Sequence, residues 1–132
     1  MIPATFEYAA PNTLEEAIAL LHEHGDEAKI LSGGHSLIPM MKLRFAEPEF
    51  LVDINNIPGL AYVKEEGGML KIGGLTRESE LEHSDAAQNG FRIFQDVTKL
   101  IADPQVRNMG TIGGNLAHGD AANDHPDRKS CV

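Results

Sequence analysis

Residues 11 to 25, PNTLEEAIALLHEHG, constrain the fold more than any other stretch. Leu14, Ala17, Ile18 and Leu21 recur at i, i+3, i+4 and i+7, which sets them on one face of a helix. Thr13 and Glu16 have the spacing of a capping box, and Gly25 stands where a helix commonly takes a glycine stop. The short apolar runs FEY (6–8) and AKIL (28–31) flank this segment and read as strands. Strand, helix, strand in that order implies a small parallel α/β unit, provided the two strands pair.

Beyond it, LIPMMKLR (37–44) has the makings of a short helix, with Ser36 near its N-cap and Pro39 in its first turn. FLVDI (50–54) is a compact apolar strand candidate, so the first fifty or so residues form a βαβ-like module. The texture then changes. Ala61 to Glu65 and Met69 to Ile72 around Gly67-Gly68 predict a hairpin. TRESELEHS predicts a short helix capped by Thr76. In FRIFQDVTKLI, Phe94, Val97 and Ile101 share one helical face, with Ile93 and Leu100 beside it, and Pro104 is expected to stop that helix.

A chain of 132 residues with 42% hydrophobic content has enough apolar matter for one packed domain, or for part of a larger one. Twenty acidic against eleven basic residues leave a net charge of −9, which argues against nucleic acid and anionic membranes as partners. Aromatics at 5%, with no Trp, leave little for a base-stacking platform. No apolar window approaches membrane-span length, and MIPATFEYAA has neither the basic start nor the apolar core of a signal peptide. The single cysteine, Cys131, rules out an internal disulfide, and a cytoplasmic location is the expectation.

The glycines concentrate the functional question. Gly67-Gly68 is explained by the hairpin, but SGGHS (32–36) and GTIGGN (110–115) have no equally plain cause. A loop that cradles phosphate needs glycine so that backbone N–H groups can approach closely, with small hydroxyl donors nearby. Ser32, Gly33, Gly34 and Ser36 answer to that description, as do Thr111, Gly113, Gly114 and Asn115. Each alone reads more readily as a plain turn than as a site. Together, in a short acidic chain, they suit a diphosphate held by neutral donors. Neither matches G-x-x-x-x-G-K-[ST] or G-x-G-x-x-G, so an ATP-cleaving P-loop and a Rossmann site are unsupported. Ser36 lacks the G-x-S-x-G setting of a nucleophile. His118, Asp120, Asp124 and His125 are metal-ligand types, and a metal-dependent hydrolase is the reading they would support. Their Gly and Ala spacers give no helical ligand register, so no metal site is assigned.

In order along the chain, SGGHSLIPMMKLRFAEPEFLVDI (32–54), IGGLTRESEL (72–81) and DPQVRNMGTIGGNLAHGDAANDHP (103–126) resemble the FAD-binding flavoprotein subunits of molybdenum hydroxylases. Within that family the nearest resemblance is to the medium subunits of aerobic carbon monoxide dehydrogenases. The resemblance implies an α+β fold of the vanillyl-alcohol-oxidase (PCMH) type. It would comprise a small βαβ-like N-terminal subdomain (1–55) and an incomplete second α+β subdomain (56–126), followed by a polar tail (127–132) that is unlike the family and suggests truncation. It also implies FAD as cofactor, lying between two subdomains. Carried onto this chain, the cofactor-binding residues are Lys29, Ile30, Leu31, Ser32, Gly33, Gly34, His35 and Ser36, then Thr111, Ile112, Gly113, Gly114 and Asn115, with Asp124 and Ile101 as further contacts. The implied partners are an iron–sulfur small subunit and a molybdenum large subunit, with electrons passing through FAD to an external acceptor. No side chain of this chain is then required as a catalytic acid or base. The alternative is a non-catalytic remnant that folds only with a partner subunit.

Overall fold

Strand β1 (Glu7–Ala9), helix α1 (Leu14–His24), strand β2 (Ala28–Leu31), helix α2 (Leu37–Lys42) and strand β3 (Phe50–Asp53) build the first of two compact units, Met1–Pro58. The structure is a computed structural model, and it describes residues 1–120. The three strands are parallel as expected, but β1 and β2 do not pair. β3 lies between them, in the order β1-β3-β2, with Glu7 and Ala28 both in register with Phe50. The reason is burial. Phe50, Leu51 and Val52 form the strand least exposed to solvent, with Val52 at 0%, and a central parallel strand covered on both faces is where such a run belongs.

Helix α1 starts as its sequence dictates. Thr13 Oγ1 accepts from the Glu16 amide at 3.2 Å, and Glu16 Oε2 reaches back to the Asn12 amide at 3.0 Å. Gly25 ends the helix at φ +53. The helix packs on β2 and β3, yet only part of its apolar stripe is covered. Ala17 is buried, whereas Leu14 and Ile18 remain 46% and 47% exposed. His24, in the last turn, stacks on the Phe50 ring at 3.8 Å between centroids.

The second unit begins at Gly59. Strands β4 (Val63–Glu66) and β5 (Met69–Ile72) form the expected antiparallel hairpin, with Gly67 and Gly68 at φ +62 and +76, the conformation a two-residue primed turn demands. Five short helices follow: α3 (Glu78–Glu82), α4 (Asp85–Gln88), α5 (Arg92–Thr98), α6 (Pro104–Met109) and α7 (Ile112–His118). Leu75, Leu81, Ala87 and Ile101 are the buried apolar side chains among the described residues of this unit. The buried Gln95 amide donates to the carbonyls of Glu82 and Ser84 at 2.9 and 3.2 Å, tying α5 to the ends of α3 and α4.

Two sequence expectations in this unit are corrected. Thr76 does not cap α3, whose N-cap is Arg77. The Thr76 hydroxyl is buried and instead accepts from the Tyr62 amide at 3.0 Å and donates to the Tyr62 carbonyl at 2.9 Å. Pro104 does not stop the preceding helix. α5 already ends at Thr98, with Ala102 at φ +38, and Pro104 opens α6 behind the Asp103 N-cap, whose carboxylate accepts from the Val106 amide at 2.9 Å. Proline has no N–H to lose in a first turn, so either role was open to it. Among the described residues no helix is long and apolar enough to cross a membrane.

Candidate functional site

The carboxyl ends of β2 and β3 set the first glycine segment in place. Ligands of parallel sheets bind beyond the carboxyl ends of the strands. The Ile54 amide donates to the Leu31 carbonyl at 3.0 Å, the last rung between these strands, and Ser32 to Ser36 then cross to α2. Gly34 sits at φ +80, and a Cβ there would lie 2.7 Å from Ile38 Cδ1. The positive φ calls for glycine, while the Ile38 side-chain tip could move aside. Gly33 is buried, while His35 and Ser36 are exposed, and Lys29 and Ile30 are exposed on β2.

Three carbonyls of this loop are held. Ser32 O accepts from Asn55 Nδ2 at 2.6 Å, Gly33 O contacts His35 Nδ1 at 3.1 Å, and Gly34 O accepts from the Ile38 amide at 3.0 Å. The His35 contact requires the proton on Nδ1. Among the described residues, the N–H groups of Gly33, Gly34, His35 and Ser36 donate to no protein acceptor. A run of unengaged amides with short side chains is a donor set that fits an anion such as a pyrophosphate.

Sequence reasoning missed the residues that brace this loop. Asp53 Oδ1 accepts from the Asn55 amide at 2.9 Å and from Asn55 Nδ2 at 2.7 Å, and its other oxygen accepts from the Tyr8 hydroxyl at 2.6 Å. Holding that hydrogen bond to the carboxylate pushes the Tyr8 phenol above its ordinary pKa of 10.0, with lesser contributions from burial and from the Asp53 charge. The available signal was Asp-x-Asn directly after an apolar strand, a pattern that turns the backbone through side-chain hydrogen bonds.

The second glycine segment differs. Thr111 to Asn115 open helix α7 rather than forming a free loop. Thr111, 3% exposed, is the N-cap, and its hydroxyl accepts from the Gly114 amide at 3.1 Å. The Ile112 amide donates to Thr76 O at 3.0 Å, Gly113 to Gly74 O at 2.8 Å, and Asn115 to Thr111 O at 3.0 Å. A Cβ on Gly113 would fall 2.6 Å from Gly74 O, so glycine is required there by the chain's own backbone. These amides are engaged within the protein, and this segment does not offer the donor set that Gly33 to Ser36 offer.

Ile101 is 4% exposed, and its carbonyl accepts from Arg107 Nη1 at 2.9 Å. The same guanidinium pairs with Glu82 at 3.1 Å, largely out of solvent. Asp124 and His125 lie outside the described residues. Among the described residues no group of three His, Cys, Asp or Glu side chains converges as a metal site would need.

Comparison with known proteins gives concordant matches. Residues 4–127 match the family model of the FAD binding domain in molybdopterin dehydrogenase. The carbon monoxide dehydrogenase medium chain of Hydrogenophaga pseudoflava is 56% identical over 126 residues, covering 96% of this chain and 44% of that one. The equivalent chain of Afipia carboxidovorans is 47% identical over 132 residues, 46% of its length. Among solved structures, the Hydrogenophaga pseudoflava carbon monoxide dehydrogenase lacking the Mo-pyranopterin moiety of its molybdenum cofactor superposes with a TM-score of 0.92 at 57% identity, covering 95% of this chain and 44% of that one. Quinoline 2-oxidoreductase of Pseudomonas putida 86 superposes at 0.87 with 34% identity, covering 92% and 42%. The chain spans less than half the length of these relatives.

Proposed function

The chain belongs to the family of FAD-binding domains of molybdopterin dehydrogenases, and from that premise we propose that it binds FAD as part of the flavoprotein subunit of a cytoplasmic molybdenum hydroxylase. FAD, when bound, supplies the redox chemistry, which suits a relay from an iron–sulfur small subunit, fed by a molybdenum large subunit, to an external acceptor. The protein residues bind and orient. Ser32 to Ser36 offer backbone donors to the pyrophosphate, and Lys29, Ile30 and Leu31 lead into that loop from β2. Thr111 to Asn115, Ile101 and Asp124 are the further contacts assigned to the same cofactor. With its amides engaged, the Thr111 segment would contribute through side chains and shape.

The observation that carries this reading is the run of unengaged N–H groups from Gly33 to Ser36. Equilibrium dialysis of the purified chain against FAD tests it. Saturable binding at one flavin per chain is expected, and retention no greater than for a glycine-loop variant would overturn it.

A further inference from the structure

A trans peptide is a rigid plane in which the N–H points opposite to the C=O. Pinning a carbonyl therefore aims the amide of the next residue. None of the described peptides is cis. In the glycine loop this happens three times in succession. The pin on Ser32 O aims the Gly33 N–H, that on Gly33 O aims the Gly34 N–H, and that on Gly34 O aims the His35 N–H. Two of the pins are local, coming from His35 and Ile38. The first comes from Asn55, 23 positions away in sequence.

We propose that Asn55 is a positioning residue for FAD, holding the Ser32–Gly33 peptide plane so that the loop presents its amides to the pyrophosphate. This rests on the reading of the loop as a flavin site. Without the pin, the Ser32–Gly33 plane loses one of its restraints, and at Gly33 there is no Cβ to restrict it and no acceptor among the described residues for its N–H. Asn55 is itself fixed on both sides. Its backbone and side-chain N–H groups both bond Asp53 Oδ1, and Asp53 is steadied from the other oxygen by Tyr8. Tyr8, Asp53 and Asn55 thus form a brace from the middle of β1 and the end of β3 to the start of the loop. None of the three is among the residues assigned to direct flavin contact.

The test is FAD affinity of the full chain by titration of flavin fluorescence, at a temperature well below the unfolding of every variant. Asn55→Ala is expected to raise Kd about tenfold, the equivalent of one lost oriented hydrogen bond. Tyr8→Phe, one step further out, is expected to raise it about two- to threefold. Thr13→Ala, which removes the cap of α1 away from the loop, serves as the stability control and is expected to lower the unfolding temperature without moving Kd. An Asn55→Ala chain that binds as tightly as the parent overturns the proposal, as does equal weakening by Asn55→Ala and Thr13→Ala. A parent chain that binds no FAD overturns the flavin reading itself, and this proposal with it. Should Asn55→Ala fail to fold, Tyr8→Phe decides, and a Kd equal to the parent's overturns the proposal.

Discussion

Gly34 and Tyr8 carry the residue-scale consequences of the loop. Gly34→Ala places a Cβ at φ +80 and against Ile38 Cδ1, whose side-chain end can swing aside. The backbone strain remains, so a loss of about 1–2 kcal/mol in urea unfolding is expected, accompanied by weaker FAD binding. For Tyr8 the sign follows from its raised pKa. The folded chain holds the phenolic proton more tightly than the unfolded one, so this contribution is fully present below pH 10.0 and is lost as pH rises through the folded value. Thermal melts from neutral pH upward should show an alkaline decline in the parent that is shallower in Tyr8→Phe. The glycines themselves were legible in the sequence, because SGGHS is short of side chains wherever it sits. The brace behind them was not, because Asn55 meets Ser32 only once β2 and β3 lie side by side.

At the scale of elements, α7 and the Gly73-Gly74 stretch form one joint. Gly113 approaches the Gly74 backbone so closely that Gly113→Ala must push two main chains apart, and main chain yields less readily than a side-chain tip. A loss of about 2–4 kcal/mol is expected by chemical denaturation, larger than for Gly34→Ala. Amide exchange should localise the loosening to the Thr111 cap and its bridge to Arg77. Local chemistry predicted the elements that local chemistry governs: the Thr13 cap, the Gly25 stop and the Gly67-Gly68 turn were all readable. What depended on the rest of the fold was not readable. The β1-β3-β2 order depends on which strand is most deeply buried, and Thr76 was claimed by Tyr62 from another segment, while Pro104 was misplaced because its local chemistry could equally end one helix or begin the next.

For the whole molecule, the net charge of −9 sets the terms on which it meets an anionic cofactor. Neutral backbone donors attract a phosphate only at contact distance, while the net negative charge of the chain repels it at longer range. Raising salt from about 50 to about 300 mM should therefore leave the FAD Kd unchanged or tighten it, the opposite of what a lysine clamp would show. FAD at a hundredfold excess over Kd should stabilise the folded chain by about 2.7 kcal/mol, read as a shift of the urea midpoint. Family membership was legible because ordered segments of the sequence, separated by ordinary helix and hairpin, resemble one family together, which no single glycine pair could have established.

The place of β3 in the sheet also governs how the chain is born. On the ribosome, β1 and β2 emerge early yet have no partner in each other, and both wait for Phe50–Asp53 to slide between them. Pairing of this kind, between strands distant in sequence, is slow to find. Asn55 leaves the exit tunnel directly behind β3, so the glycine loop receives its pin as the sheet closes. A nascent chain halted before residue 50 would display the glycine motif in full and still hold no sheet to aim it.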